Sequence, residues 1–202
     1  FNCVFTDYIQ IREPDFELDT EVDTIHPTCN GYCDGTLIAN TIDRTPPYMF
    51  EWFDASNTLI NTNDSVTTSS INNLCTGLYR VKVTDVNGCS NNVITYLDEP
   101  LILSINVDSV VDASENGWSD GGVYINVVGG NGGYIYHWTG SNGYMNSTQN
   151  ADSIPAGIYE LVVSDVLGCI TDTMTFIINQ PPPISINIDT LNTNLSTSCY
   201  DT

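Results

Sequence analysis

The sequence predicts an all-β chain made of tandem immunoglobulin-like β-sandwich repeats of about 80–86 residues, and three observations carry that reading. First, the chain repeats itself. Gly31-Tyr32-Cys33-Asp34-Gly35 stands opposite Gly117-Trp118-Ser119-Asp120-Gly121 and Trp52 opposite Trp138, both at an offset of 86 (120 − 34 and 138 − 52). Val83-Thr84-Asp85-Val86-Asn87-Gly88-Cys89 stands opposite Val163-Ser164-Asp165-Val166-Leu167-Gly168-Cys169 at an offset of 80 (169 − 89), so the second copy is shorter after Trp138. Second, β-branched and aromatic residues alternate with polar ones over short runs bounded by turn residues, and no run has helical period. Third, Trp52 and Trp138 fall in the third strand, where such sandwiches place a core Trp, and Leu74-x-x-Gly77-x-Tyr79 has the spacing of a tyrosine corner.

The elements follow in order. In the first copy strands are expected at Phe16–Thr24, Thr36–Ile42, Tyr48–Asp54, Leu59–Asn61, Ser65–Ile71, Leu78–Asp85 and Asn92–Leu97, the seven that such a sandwich needs. Asn87-Gly88 after Asp85 is a tight hairpin turn, since Asn and Gly tolerate the positive φ such a turn demands. Cys3 to Pro14 spaces like Cys89 to Pro100 and both segments close in Glu-Pro, so residues 1–14 are expected to be the last strand of a preceding repeat. Residues 15–100 and 101–181 are then two full repeats. Residues 182–202 begin a following one, because Ile184-Ser185-Ile186-Asn187 echoes Leu103-Ser104-Ile105-Asn106. The chain is thus expected to be a window from a longer polypeptide.

Composition narrows function. The 202 residues carry 25 Asp+Glu against 4 Lys+Arg, a formal net charge of −21. Arg12, Arg44, Arg80 and Lys82 are scattered in that acidic background, which repels phosphate backbones and anionic lipid and excludes nucleic acid as a partner. No apolar run approaches the roughly 18 to 20 residues of a membrane span, and no basic-then-apolar leader opens the sequence, so a soluble, secreted chain with no direct membrane insertion is expected. Seven cysteines with two histidines point to disulfides.

Pro46-Pro47-Tyr48-x-x-x-Trp52, Leu74-x-x-Gly77-x-Tyr79-x-Val81-x-Val83-x-Asp85-x-Asn87-Gly88-Cys89 and the closing Glu99-Pro100 resemble the SprB-type repeat of large cell-surface adhesins in gliding and related Bacteroidota. The resemblance covers roughly residues 15 to 181. It implies an extracellular, outer-membrane-associated protein exported by a type IX secretion route and used in adhesion or gliding motility. The second copy departs from the pattern: Pro-Pro-Tyr becomes Gly132-Gly133-Tyr134, Asn87 becomes Leu167, and Cys29 and Cys33 become Glu115 and Ser119.

Cys33 and Cys75 are lost together in the second copy, as Ser119 and Pro155, which suggests that they form a pair. Cys29 could join Cys89 in its own unit or Cys3 from the preceding one, and counting orphans does not decide between them. The resemblance implies Cys29–Cys89, because repeats of this family tend to carry both cysteines. A zinc site at His26-x-x-Cys29-x-x-x-Cys33 would need a fourth ligand and has no counterpart in the second copy. The cofactor expected is none; calcium is the one metal the pattern would admit, at Asp34, Asp85, Asp120 and Asp165, although the spacing matches no full calcium loop and turn chemistry is the favoured reading.

No histidine stands at a recognisable spacing from a Ser or Cys nucleophile, and no carboxylate pair stands out among the acids, so no catalytic residues and no enzyme activity are expected. Asp-Ser/Thr followed by an apolar residue recurs at Thr24, Ser65, Ser109, Ser153, Thr173 and Thr190, a pattern that resembles the O-glycosylation motif of secreted Bacteroidota proteins. Asn63, Asn146 and Asn194 open N-linked sequons. The expected role is a stalk or spacer in a large adhesin, projecting or multiplying adhesive contacts, with neighbouring repeats and surface glycans as partners. One alternative is a carbohydrate-binding module using Tyr32, Trp118, Tyr134, Tyr136 and Tyr144 as stacking platforms. Another is a non-catalytic piece of a large secreted enzyme.

Overall fold

The computed structural model describes residues 18–42 and 46–186. The first repeat contains β1 (Thr20–Ile25), β2 (Gly35–Thr41), β3 (Tyr48–Phe53), β4 (Leu59–Val66), β5 (Thr68–Leu74), β6 (Gly77–Thr84) and β7 (Ser90–Leu97). They form two antiparallel sheets, in the orders β1-β2-β5 and β4-β3-β6-β7. The second repeat contains β8 (Ser104–Val111), β9 (Gly121–Val128), β10 (Ile135–Gly140), β11 (Tyr144–Asn146), β12 (Ala151–Ile154), β13 (Gly157–Ser164) and β14 (Met174–Ile178). Its sheets, β12-β9-β8 and β11-β10-β13-β14, repeat the same order strand for strand. Both repeats are therefore all-β, immunoglobulin-like sandwiches.

Alternation explains which face of each strand is inside. Along β3, Tyr48, Phe50 and Trp52 are buried while Met49, Glu51 and Phe53 are half-buried, and Val81 and Val83 of β6 lie inward beside them. They meet Leu37 and Ala39 of β2 and Ile71 of β5 from the other sheet in one hydrophobic core. Trp52 is completely buried, and its indole N–H crosses to the facing sheet to donate to Ser69 Oγ at 2.9 Å. Trp138 is buried in the same place in the second repeat, packs on Phe176 at 5.5 Å between ring centroids, and donates to the Thr148 carbonyl at 3.0 Å. A buried indole N–H without an acceptor would cost about 1–3 kcal/mol, so each repeat supplies one. The tyrosine corner forms twice: Tyr79 donates to the Cys75 carbonyl at 3.0 Å and Tyr159 to the Pro155 carbonyl at 2.8 Å.

Several boundaries differ from expectation. β4 runs through Thr62–Asp64 to Val66 instead of stopping at Asn61, β5 spans Thr68–Leu74 instead of Ser65–Ile71, and β7 begins at Ser90 instead of Asn92. β4 is the sheet's edge, paired only with β3, and an edge strand tolerates a polar run because its outer backbone groups face water. The chain divides into two compact units: one holds the first repeat through Asn106 together with residues 127–135 and 163–172, and the other holds the remainder of the second repeat. Among the described residues, no helix is long and apolar enough to cross a membrane.

Candidate functional site

In each repeat a densely hydrogen-bonded loop leads into the second strand: residues 26–34 before β2 and 112–120 before β9. Thr28 donates to Asp34 through both its backbone N–H (2.9 Å) and its hydroxyl (2.6 Å). Ser114 donates to Asp120 in the same two ways, with a backbone bond of 3.0 Å. These bonds, the side-chain hydroxyl first and the backbone amide second, hold both carboxyls below the usual Asp range. At the loop tip Gly31 and Gly117 take φ of +77° and +82°, a left-handed conformation that a Cβ would strain, so the tight turns from Cys29 to Tyr32 and from Glu115 to Trp118 can close.

The same loop grips the chain leaving its own repeat. The Asn30 amide donates to the Pro100 carbonyl at 3.0 Å, and Gly31 N–H donates to the Glu99 carboxylate at 2.6 Å. In the second repeat Asn116 donates to the Pro181 carbonyl at 3.0 Å and Gly117 N–H to Gln180 Oε1 at 2.8 Å. Glu and Gln interchange here because each offers an Oε acceptor to a backbone donor. This clasp was not anticipated from the sequence. Its signal was present all the same, as Asn-Gly at 30–31 and 116–117 and Glu/Gln-Pro at 99–100 and 180–181.

The cysteines depart from expectation in one pairing. Cys33 and Cys75 are bonded, joining the loop before β2 to the turn between β5 and β6. Cys29 is bonded not to Cys89, as the resemblance implied, but to Cys169, 140 residues away and inside the same compact unit. Cys89 is exposed and bonded to no other cysteine among the described residues. Cys29 is buried and lines one cavity with Leu103, Cys169 and Ile170, and its Cα lies 5.6 Å from that of Cys169. Beside this bridge the Asn131 amide donates to the Thr28 carbonyl at 2.9 Å, and Asn131 is itself held by Asp165.

The remaining aspartates close turns. Asp85 Oδ1 accepts from Asn87 N–H (2.9 Å) and Cys89 N–H (2.8 Å). Asp165 Oδ1 accepts from Leu167 N–H (3.0 Å) and Cys169 N–H (2.9 Å), while Oδ2 takes Asn131 N–H at 2.8 Å. Asp165 is only 2 % exposed; burial pushes its carboxyl up, but the converging donors, Asn131 foremost, outweigh this and hold it below the usual range. Only one oxygen is needed at the apex of each turn, so Leu167 replaces Asn87 without loss of the frame. Asp34, Asp85, Asp120 and Asp165 lie in four separate turns, and no group of three or more His, Cys, Asp and Glu among the described residues is placed to hold a metal. The zinc pattern at His26, Cys29 and Cys33 is split between two disulfides.

Of the aromatic candidates, Tyr32 and Trp118 are exposed, at 56 % and 53 %, on the tips of the paired loops. Tyr134, Tyr136 and Tyr144 are half-buried, Tyr134 donating to the Gly129 carbonyl at 2.7 Å and Tyr144 packing on Tyr159. Thr24 is half-buried in β1, and Ser65, Ser109, Ser153 and Thr173 are exposed; Thr190 lies outside the described residues, as do Cys3 and Asn194. Asn146 is half-buried, its side-chain oxygen accepting from Thr148 N–H within its own sequon, and Asn63 is half-buried on β4. Lys82 pairs with Glu51 at 2.9 Å, and Arg80 lies over the Phe53 ring at 3.9 Å and donates to Asn92 and Asn57.

These features define the class: a chain of tandem immunoglobulin-like β-sandwiches. No protein-family model matches the sequence, and no curated protein matches it. Among solved structures it is similar to a C-terminal 282-residue fragment of intimin in complex with the intimin-binding domain of the translocated intimin receptor, at 16 % identity and a TM-score of 0.42; the match covers 80 % of this chain and 63 % of that one. Fibronectin(III)-like modules of CbhA from Clostridium thermocellum match at 13 % identity over 79 % of this chain and 95 % of theirs, with a TM-score of 0.33. The BSP domain of a biofilm-associated protein matches at 14 % identity over 80 % of this chain and 30 % of its own, with a TM-score of 0.28.

Proposed function

We propose that the chain is a stretch of a large, repetitive cell-surface adhesin of the SprB type, in which these sandwiches act as a stalk or spacer that projects or multiplies adhesive contacts. The observation that carries this reading is the duplicated clasp. Asn30 and Gly31 hold Glu99-Pro100, and Asn116 and Gly117 hold Gln180-Pro181, so each repeat sets the direction in which the chain leaves it. Proline at the same point restricts φ and stiffens the exit further. A spacer needs directed junctions, whereas a module that only binds a ligand does not. Export by a type IX route, attachment at the outer membrane and a role in gliding belong to the same proposal and rest on the residue pattern.

Small-angle scattering on the 202-residue chain tests it. A maximum dimension fitting sandwiches placed end to end supports the stalk, and a particle as compact as a single globule of this mass sinks it. O-glycans on Thr24, Ser65, Ser109, Ser153, Thr173 and Thr190 are part of the reading, and an intact mass of the native protein equal to the bare polypeptide would remove them. A second reading, glycan binding, is favoured by the paired exposed rings of Tyr32 and Trp118. If it holds, Trp118→Ala abolishes retention on a glycan array and leaves the scattering unchanged.

A further inference from the structure

The β6–β7 turn and its copy in the second repeat are the same device in two states. Each closes around an aspartate with matching geometry: Asp85 N–H to the Cys89 carbonyl at 2.9 Å and Cys89 N–H to Asp85 Oδ1 at 2.8 Å, against 2.9 Å for both bonds between Asp165 and Cys169. Both cysteines therefore leave the turn from the same backbone frame. Cys169 is 7 % exposed and bonded to Cys29, which the second repeat's turn reaches across from the loop before β2 of the first. Cys89 is exposed and, among the described residues, unbonded. Its own repeat offers it no partner among the described residues, because Cys29 is taken by Cys169, and Cys33 and Cys75 by each other.

We infer that Cys89 forms an inter-repeat disulfide with a cysteine occupying the Cys29 position of another immunoglobulin-like repeat that precedes it in the same polypeptide, so that Cys89 stands to that repeat as Cys169 stands to the first. The partner is thus a Thr/Ser-Cys-Asn-Gly loop of the kind seen at Thr28-Cys29-Asn30-Gly31. The inference rests on the stalk reading, since it needs a tandem neighbour. It does not extend to the loop before β9, where Glu115 holds the Cys29 position. Junctions in the array are therefore of two kinds, covalently stapled where the loop carries Cys and unstapled where it carries Glu.

Bond formation removes two protons and two electrons from the two thiols. A disulfide-bearing oxidant of the secretory or extracellular medium, protein or small molecule, accepts them: the Cys89 thiolate attacks one of its sulfurs, breaking the oxidant's S–S bond and releasing the other sulfur as thiol, and the partner thiolate then attacks the Cys89 sulfur of the mixed disulfide and displaces the remaining oxidant sulfur as a second thiol.

Non-reducing proteolytic mapping of the native, full-length secreted polypeptide by mass spectrometry tests the inference, with free thiols alkylated before digestion. The expected result is a Cys89 peptide joined to a peptide from outside residues 1–202 whose cysteine is followed by Asn-Gly, the link disappearing on reduction. Recovery of Cys89 as the alkylated thiol, or bonded to Cys3, Cys29 or Cys199, overturns it. Scattering on the 202-residue chain separates this failure from failure of the stalk reading. Cys89→Ser leaves that profile unchanged, so a compact particle would indict the stalk alone, and an elongated one with Cys89 alkylated in the native protein would indict the staple alone.

Discussion

The loops at 28–34 and 114–120 are built on the same frame with different covalent chemistry. Both have a Thr or Ser donating twice to an Asp, a left-handed Gly at the tip, an exposed aromatic after it, and an Asn holding the outgoing Pro carbonyl. The first loop adds two disulfides, and the second has Glu115 and Ser119 where those cysteines would be. The hydrogen-bond frame therefore shapes the loop and the cysteines fasten it. If sulfur determined the shape, the second loop would not superpose its donors on the first.

The largest expected effect tests what the two repeats share. Trp52→Ala and Trp138→Ala should each cost about 3–5 kcal/mol, as expected for emptying a packed aromatic site. Trp52→Ala should be the worse of the two, because it also strands the buried Ser69 hydroxyl that its indole bonds. Hydrogen exchange of β3 and β6 against β10 and β13 reads the two repeats separately; equal protection in both variants would refute a core centred on these rings.

Removing the staple tests what they do not share. Replacing Cys33 and Cys75 together by Ser should destabilise the first repeat by about 2–4 kcal/mol and leave the second repeat's exchange unchanged. Amide protection at Thr28 should persist in that variant, since its acceptor is Asp34 and not sulfur. Loss of that protection would show that the disulfide shapes the loop after all.

A smaller effect is expected where both loops enter their strands. A Cβ on Gly35 would meet Leu97 Cδ2 at 2.6 Å and the Leu74 carbonyl at 3.0 Å; on Gly121 it would meet Ile178 Cγ2 at 2.7 Å and the Ile154 carbonyl at 2.9 Å. Gly35→Ala and Gly121→Ala should therefore each cost about 1–3 kcal/mol by overpacking and should match each other closely. Thermal unfolding of the pair checks this, and a neutral result at either site would mean that its entry to the sandwich is looser than its twin's.

Acid should have the mildest effect. Asp34, Asp120 and Asp165 all hold their carboxyls below the usual range. A folded-state value below the unfolded one gives stability that is complete above the unfolded value of about 3.9 and is lost as pH falls through the folded one. Chemical unfolding measured from neutral to strongly acidic pH should accordingly be flat until roughly pH 4 and then decline. Asp165→Asn should flatten part of the slope by removing the one buried carboxylate of the three.

Much of the fold was legible in the chain itself because its signals are local. Alternation in Tyr48–Phe53 places Trp52 inward whatever surrounds it, and the four-residue step from Cys75 to Tyr79 fits a corner that closes within one turn. The end of β4 was not legible, because a polar run such as Thr62–Asp64 extends as a strand only when it has an edge to occupy. The clasp was legible in part: its residues recur at matching places in the two copies, but nothing in one repeat alone says that Asn30 reaches Pro100 across seventy residues of chain.

The tandem repeat, the succession of short strands, the two buried tryptophans and the acidic, phosphate-repelling character of the chain are all readable from its residues, because they follow from short-range pattern and from summed charge. The partner of Cys29 is instead set by the folded arrangement. Cys3, Cys89 and Cys169 are chemically identical thiols, and a disulfide forms where two sulfurs are brought together, which spacing along the chain does not specify. The structure brings Cys169 to Cys29, with Asn131 donating to Thr28 beside them, and leaves Cys89 facing outward.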